Sequence, residues 1–96
     1  MIAVIFSGNQ VVYNFSRDLE TFGHPGPLAS QFTHTGTQTP VSAVYAAGDF
    51  LHDVVVVTQT GTVVGGTSGT YTPAAAPPGL RLVDVGGNVV PADTYP

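Results

Sequence analysis

The stretch over residues 51–66 (LHDVVVVTQTGTVVGG) constrains the fold of this chain more than any other. Its four consecutive valines are followed by Thr60-Gly61 and then by a second β-branched run, a pattern that predicts a β-hairpin. Successive side chains of a strand point to opposite faces of the sheet, so the valines place apolar groups on both faces. A sheet with one face in water would alternate apolar and polar residues instead. We therefore expect another structure to cover the second face.

Further strand signals occur along the chain with glycine-rich turns between them, and helical periodicity is nearly absent. Residues 2–6 and 10–15 predict an N-terminal hairpin, although residues 1–6 could alternatively form an arm that pairs with a neighbouring sheet. Other candidate strands are residues 41–46 and 68–72, and a last hairpin is predicted over residues 80–90. The sequence thus predicts one all-β domain over residues 1–96, a small antiparallel β-sandwich or barrel with an extended N-terminal segment and Pro/Thr-rich loops.

Three segments outside these strands carry weaker signals. Residues 16–22 could hold one helical turn, with Ser16 as its N-cap. Residues 73–79 (PAAAPPG) predict an extended, polyproline-like connector. We expect the tail over residues 92–96 to be loose.

The shortage of charge limits the classes of partner. Only 8% of residues are charged, against about 25% in average proteins, and the chain has two arginines and no lysine. Such a neutral surface is typical of a chain that packs against other chains. The net charge of −4 argues against binding to nucleic acid or to an anionic membrane, because both require a basic surface.

The chain has no cysteine, which excludes disulfides and thiolate zinc sites. No run reaches the ~18–20 apolar residues of a spanning helix. The apolar start lacks the positive segment of a signal peptide, so we expect a mature protein that is made in a cytoplasm.

We find no pattern that predicts catalysis, a cofactor or a metal. His52 and Asp53 lie near Asp49, but adjacent strand residues point to opposite faces and cannot share one ion without a bulge. No serine lies in a GxSxG elbow, and the glycine-rich residues 65–69 have no lysine and no following helix. A small enzyme or metal-binding domain that uses His52 and Asp49 remains an alternative.

Two surface patterns have a functional and a structural interpretation. Thr-x-Thr tripeptides at residues 33–35, 37–39, 58–60 and 70–72 resemble those of ice-binding proteins, but threonine is also a common outward strand residue. Scattered aromatics, Tyr45 and Tyr71 among them, could line a glycan site in a phage tail-fibre or adhesin-type domain, although aromatics are more often core anchors. We favour the structural interpretation of both patterns.

An apolar N-terminal strand (MIAVIF), Thr-, Pro-, Gly- and Ala-rich connectors (THTGTQTP and YTPAAAPPG) and a compact β core together resemble the small capsid decoration, or cement, proteins of tailed bacteriophages. The resemblance implies a structural virion protein, often a homotrimer, on the outer surface of the shell. Such a protein would be made in the host cytoplasm and would bind the major capsid protein and copies of itself. It would stabilise the shell without catalysis or a cofactor.

We expect strand edges and apolar faces to form the contacts with these partners. Alternation separates Val54 and Val56 from Val55 and Val57. The sequence does not show which pair faces outward, and we include the second pair among the expected interface residues. The expected interface residues are Ile2, Val4, Phe6, Val55, Val57, Pro73, Pro77 and Pro78.

Overall fold

A computed structural model describes residues 3–20, 27–45, 53–73 and 78–95. These residues form two antiparallel sheets, so the predicted all-β fold with two packed sheets is confirmed. The first sheet has the strand order β1-β2-β5-β4 and the second has the order β3-β6-β7. The strands are β1 (Ala3–Ser7), β2 (Gln10–Asn14), β3 (Phe32–His34), β4 (Pro40–Tyr45), β5 (Val54–Gln59), β6 (Gly69–Tyr71) and β7 (Asp93–Tyr95).

Short 3₁₀ turns at Ala29–Gln31 and Pro78–Leu80 accompany the strands. Gln31 is fully buried and joins them, because its side chain accepts the Leu28 backbone N–H at 2.9 Å and donates to the Leu80 carbonyl at 2.9 Å. Across the described part of the chain no helix is long and apolar enough to cross a membrane.

The predicted N-terminal hairpin is present, whereas the predicted central hairpin is wrong. Strand β1 pairs with β2 over five residues, around a tight turn in which Gly8 has a φ of 60°. Strand β5 pairs with β2 on one side and β4 on the other, and residues 62–64 form no strand. Both edges of β5 are thus occupied, and the chain beyond it leaves the sheet, with the Val63 N–H donating to the Gly8 carbonyl at 2.8 Å.

The inward face of the first sheet consists of two cross-strand rows. One row runs Val4, Tyr13, Val55, Tyr45 and the other runs Phe6, Val11, Val57, Ala43. Residues directly opposite one another in antiparallel strands share a face, so both rows point toward the second sheet. They supply four of the buried core residues, Val11, Tyr13, Val55 and Val57, which are at most 1% exposed.

Aromatic rings fill the space between the sheets. The Phe32 ring lies 4.7 Å from the Tyr13 ring and 5.3 Å from the Tyr71 ring, and Phe15 meets Tyr71 edge-to-face at 5.7 Å. Gly69 lets β6 approach closely, since a Cβ there would lie 2.8 Å from the Tyr13 ring. A larger residue at this position would separate the sheets.

The last part of the chain differs from the prediction in two ways. The tail expected to be loose contains β7, which pairs with β6. The closing hairpin is reduced to one bridge between Val83 and Val89, closed by a turn in which Asp84 accepts the Gly86 and Asn88 backbone N–H groups.

The predicted helical turn is also absent from the described residues 16–20. Leu19 there forms a bridge with Asp84, and Arg17 donates to the Asp84 carboxylate at 3.1 Å. The Asn88 backbone N–H, with Arg17 and Gly86, holds the pKa of Asp84 below its ordinary value. Residues 21 and 22 lie outside the described residues, as do residues 74–77 of the predicted connector.

The orientation of the valine run is directly testable. Val55→Thr and Val57→Thr each place a hydroxyl in the apolar core and should lower the free energy of unfolding by about 1–3 kcal/mol. Val54→Thr and Val56→Thr change outward, half-exposed side chains and should stay within about 0.5 kcal/mol of the wild type. Urea denaturation of the four variants gives the comparison, and equal losses in the two pairs would contradict this orientation.

Candidate functional site

The outward face of the first sheet has a continuous row of aliphatic side chains, which we call the aliphatic row. It consists of Ile5, Val12, Val56 and Val44, each directly opposite the next in the strand register. Because neighbouring strands lie about 4.8 Å apart, the row crosses roughly 15 Å of surface. Ile5 and Val44, at its two ends, are 51% and 52% exposed. Val56 of the valine run thus belongs to a row of aliphatic side chains that crosses all four strands of the sheet.

The residues that flank the aliphatic row carry no charge. On one side lies a polar row of Ser7, Gln10, Thr58 and Ser42, and on the other lie Ala3, Asn14 and Val54. None of the four strands contains an Asp, Glu, Lys, Arg or His residue. An uncharged surface with an aliphatic centre can bind a partner by apolar burial, without charge pairing.

The structure corrects the predicted outward valine pair. Val55 and Val57 are 0% and 1% exposed and lie opposite Tyr13 and Val11 in the chain's own core, so they offer no surface to a partner. The strand alternation leaves Val56 on the outward side. The sequence could not decide this, because both pairs are chemically identical and the choice depends on which side the second sheet covers.

Val4 and Phe6 of the predicted interface also point inward. Both are half-buried and packed against the core, and the Phe6 ring meets the His34 ring edge-to-face at 5.6 Å. The outward residue of β1 is Ile5, which the sequence prediction missed. Alternation around the tight Gly8 turn could have identified it, because it places Ile5 on the face opposite Val4 and Phe6.

Of the remaining predicted interface residues, Pro73 and Pro78 lie outside the four strands that carry the aliphatic row. Pro73 is half-buried, and Pro78 begins the 3₁₀ turn Pro78–Leu80. Ile2 and Pro77 lie outside the described residues.

A hydrogen-bonded histidine lies at the end of the sandwich near the hairpin turn. The Gly36 N–H donates to Nδ1 of His34 at 3.1 Å, so the ring proton is on Nε2, which donates to the Gln59 side chain at 2.5 Å. Gln59 in turn donates to the Thr37 carbonyl at 2.6 Å. Both ring nitrogens are therefore used in holding the loop over residues 35–39 against β5, which is a structural role.

Three tyrosines in or beside the core differ in the contacts of their hydroxyl groups. The Tyr13 hydroxyl donates to the Thr33 carbonyl at 3.1 Å, and the Tyr71 hydroxyl accepts the Leu82 N–H at 2.9 Å. The Tyr45 hydroxyl is buried and has no hydrogen-bond partner among the described residues. Tyr45 is thus the one of the three with an unsatisfied hydroxyl.

Burial raises the pKa of all three tyrosines, because a phenolate in the protein interior loses its hydration. Burial, followed by the influence of Tyr71 and Glu20, raises the pKa of Tyr45 from 10.0 to about 12. All three are therefore protonated at neutral pH.

The two tyrosines considered for glycan binding are poorly placed for it. Sugar rings stack on exposed aromatic faces, whereas Tyr71 is fully buried between Phe15 and Phe32. Tyr45 is half-buried with its side chain packed against the core. Neither residue presents an open ring face.

The predicted alternative metal site lies at the margin of the structure. His52 and Asp49 are outside the described residues, and Asp53 alone of the three is described. Within the described ranges no three His, Asp or Glu side chains are grouped so that they could hold a metal ion.

Three of the threonines form a row across the second sheet. Thr33, Thr70 and Thr94 lie opposite one another across its three strands, and the hydroxyls of Thr70 and Thr94 are 3.0 Å apart. The Thr35 hydroxyl accepts the backbone N–H of Thr67 at 2.8 Å, which ties two loops together. These hydroxyls bond to other groups of the chain, in agreement with a structural interpretation.

Comparison with known protein families, with curated proteins and with solved structures found no match for this chain.

The tyrosine contacts lead to opposite expectations for two phenylalanine variants. Tyr45→Phe removes a buried hydroxyl that lacks a hydrogen bond, and should leave the free energy of unfolding unchanged or raise it by about 1 kcal/mol. Tyr71→Phe leaves the buried Leu82 N–H without its acceptor and should lower the free energy of unfolding by about 1–3 kcal/mol. Urea denaturation at neutral pH distinguishes the two, and a larger loss for Tyr45→Phe would contradict the assigned contacts.

Tyr45 should also contribute to the alkaline limit of stability. The native pKa of Tyr45, about 12, lies above the ordinary 10.0. Its contribution to the free energy of unfolding is therefore complete below pH 10 and is lost as the pH rises toward 12. The reason is that the unfolded chain releases the proton first. Tyr45→Phe should lose less stability than the wild type across this interval in urea titrations, and identical pH profiles would contradict the prediction.

Proposed function

We propose that this protein is a structural interaction module, a capsid decoration protein that binds the outer shell of a virus through the outward face of its first sheet. The observation that carries the proposal is the aliphatic row, a surface of Ile and Val side chains on four uncharged strands. The charged share of 8% in the whole chain supports it. On this proposal the partners are the major capsid protein and further copies of the chain, the location is the virion, and no cofactor takes part.

The size of the row is consistent with a contact that is weak in each copy. Each half-exposed Ile or Val side chain that becomes fully buried contributes about 1 kcal/mol. The two most exposed members, Ile5 and Val44, are half-exposed, so the row by itself supplies only a few such increments. A shell offers the same site many times, and multiple copies that also contact one another bind far more tightly than one copy does.

The aliphatic row favours a protein partner over the alternative of a glycan. Carbohydrate recognition uses exposed aromatic faces and directional polar groups, and the described outward strand residues of the first sheet include no aromatic side chain. A surface of branched aliphatic side chains matches another apolar protein surface. We therefore do not propose the glycan-binding function for this chain.

The test is a charge placed on the aliphatic row. Val44→Lys should reduce the copy number of the protein in purified virus particles by at least about tenfold, because a buried ammonium at the contact is costly. The control is Val89→Lys, since Val89 is 56% exposed but lies on the closing hairpin, away from the first sheet. Quantitative mass spectrometry of intact particles measures both, with circular dichroism to verify that each variant is folded.

The copy number of the wild-type protein distinguishes the possible locations. Hundreds of copies per particle would support a place on the shell, whereas a few copies would indicate the tail. Absence from the particles, or equal incorporation of Val44→Lys and Val89→Lys, would overturn the proposed function.

A further inference from the structure

Strand β1 is an edge strand of the first sheet, and no other described strand pairs with its outer side. It contains five residues, Ala3–Ser7, which pair with β2 in continuous register and without a bulge. Among the described residues, its backbone makes hydrogen bonds only to β2. It has no charge and no proline. A regular apolar edge of this kind is a template for pairing with a further strand.

The other edges of the two sheets lack these properties. Strand β4, at the far edge of the first sheet, starts at Pro40, and its register shifts between Pro40 and Ser42. The edge strands of the second sheet, β3 and β7, have three residues each, and β7 starts with the charged Asp93. Proline, bulges, charges and short length are the features that protect sheet edges. Strand β1 has none of them.

The tight turn after β1 determines which backbone groups reach the open edge. The two-residue loop Gly8-Asn9 makes Ser7 and Gln10 the closing pair, with the Ser7 carbonyl accepting the Gln10 N–H. Bonding direction alternates along a strand, so Ser7 and Ile5 face β2. The N–H and C=O groups of Val4 and Phe6 therefore point to the open edge.

We propose that β1 pairs antiparallel with β1 of a second copy of this chain, about a twofold axis at Ile5. Ile5 then lies opposite the partner's Ile5, and Val4 lies opposite the partner's Phe6. The edge groups of Val4 and Phe6 are bonded by the same groups of the second copy, which makes four hydrogen bonds. The two four-stranded sheets become one sheet of eight strands.

The sequence of β1 indicates a second copy as the occupant, because the strand is complementary to itself. In this register the inward Val4 meets the inward Phe6 and the outward Ile5 meets its own copy, so every side chain stays on its own face. A slip by one residue would exchange the two faces. Each copy has a net charge of −4, yet the absence of charge in β1 keeps like charges away from the axis.

The pairing does not depend on the proposed function, but it would extend the surface that function uses. Ile5 is the end of the aliphatic row, so the twofold axis joins two rows into one of eight side chains. At about 4.8 Å per strand, the joined row would cross roughly 34 Å. A dimer would thus present twice the aliphatic contact of a single chain.

A disulfide at the axis tests the register directly. In this arrangement the two copies of Ile5 form a non-hydrogen-bonded pair with Cα atoms about 4.5 Å apart, within the range that a disulfide spans. The chain has no cysteine, so Ile5→Cys introduces the only thiol. We expect it to form a covalent dimer under mild oxidation, seen on a non-reducing gel.

Two further single-cysteine variants control for random collision. Ser7→Cys lies on the same strand, but the two copies of residue 7 would be about 14 Å apart along the pair. Val44→Cys has nearly the same exposure as Ile5 but lies on the far edge of the sheet. Neither should cross-link as fast as Ile5→Cys, and equal rates for the three variants would overturn the proposal.

Charge variants at Ile5 test the association without a covalent bond. Ile5→Lys and Ile5→Glu each place like charges opposite one another at the axis and should weaken the dimer at least about tenfold in sedimentation equilibrium. An equimolar mixture of the two should recover the dimer, because opposite charges then meet. Val44→Lys should dimerise as the wild type does.

The outcomes separate this inference from the proposed function. A wild-type chain that remains monomeric up to about 1 mM, or that forms trimers, would overturn the β1 pairing. A failure of both charge variants to weaken the dimer would do the same. The incorporation of Val44→Lys into particles concerns the shell contact alone, because Val44 lies at the edge opposite β1.

Discussion

Hydrogen bonding on both edges of β5 is the constraint on which the rest of the structure depends. With β2 on one side and β4 on the other, the strand cannot rotate, so its alternate side chains have fixed directions. Val55 and Val57 are directed into the core, and Val54 and Val56 are directed outward. A strand held on one edge would leave this choice less defined, because a slip by one residue would exchange the faces.

The second sheet depends on this orientation. The aromatic contacts among Tyr13, Phe32 and Tyr71 join the two sheets, and the close approach of β6 at Gly69 brings the rings within contact distance. The buried Gln59 holds the adjoining loop against the first sheet, since its side chain forms hydrogen bonds with His34 and with the Thr37 carbonyl. Polar groups that are buried and satisfied in this way specify one arrangement of loops around the core.

The outward surface follows from the same strand order. Four uncharged strands side by side create the aliphatic row, and the position of β1 at the end of that order leaves a regular edge beside it. Both features favour contact with other protein chains, one by apolar burial and the other by backbone pairing. They meet at Ile5, so a strand added to the edge of β1 would lengthen the row as well as complete the hydrogen bonds.

The sequence by itself determined that the chain is all-β, where the N-terminal hairpin turns, and that the valine run has apolar groups on two faces. These properties are local, because they depend on the two-residue period, on β-branched side chains and on the turn at Gly8. Only the tertiary structure decided that β5 pairs with β2 and β4 and not with residues 62–64, and that Val55 and Val57 are the buried pair. The pairing of the tail strand β7 with β6 was decided in the same way. Such choices join residues that are distant in sequence and depend on competition among partners, which a local pattern does not encode.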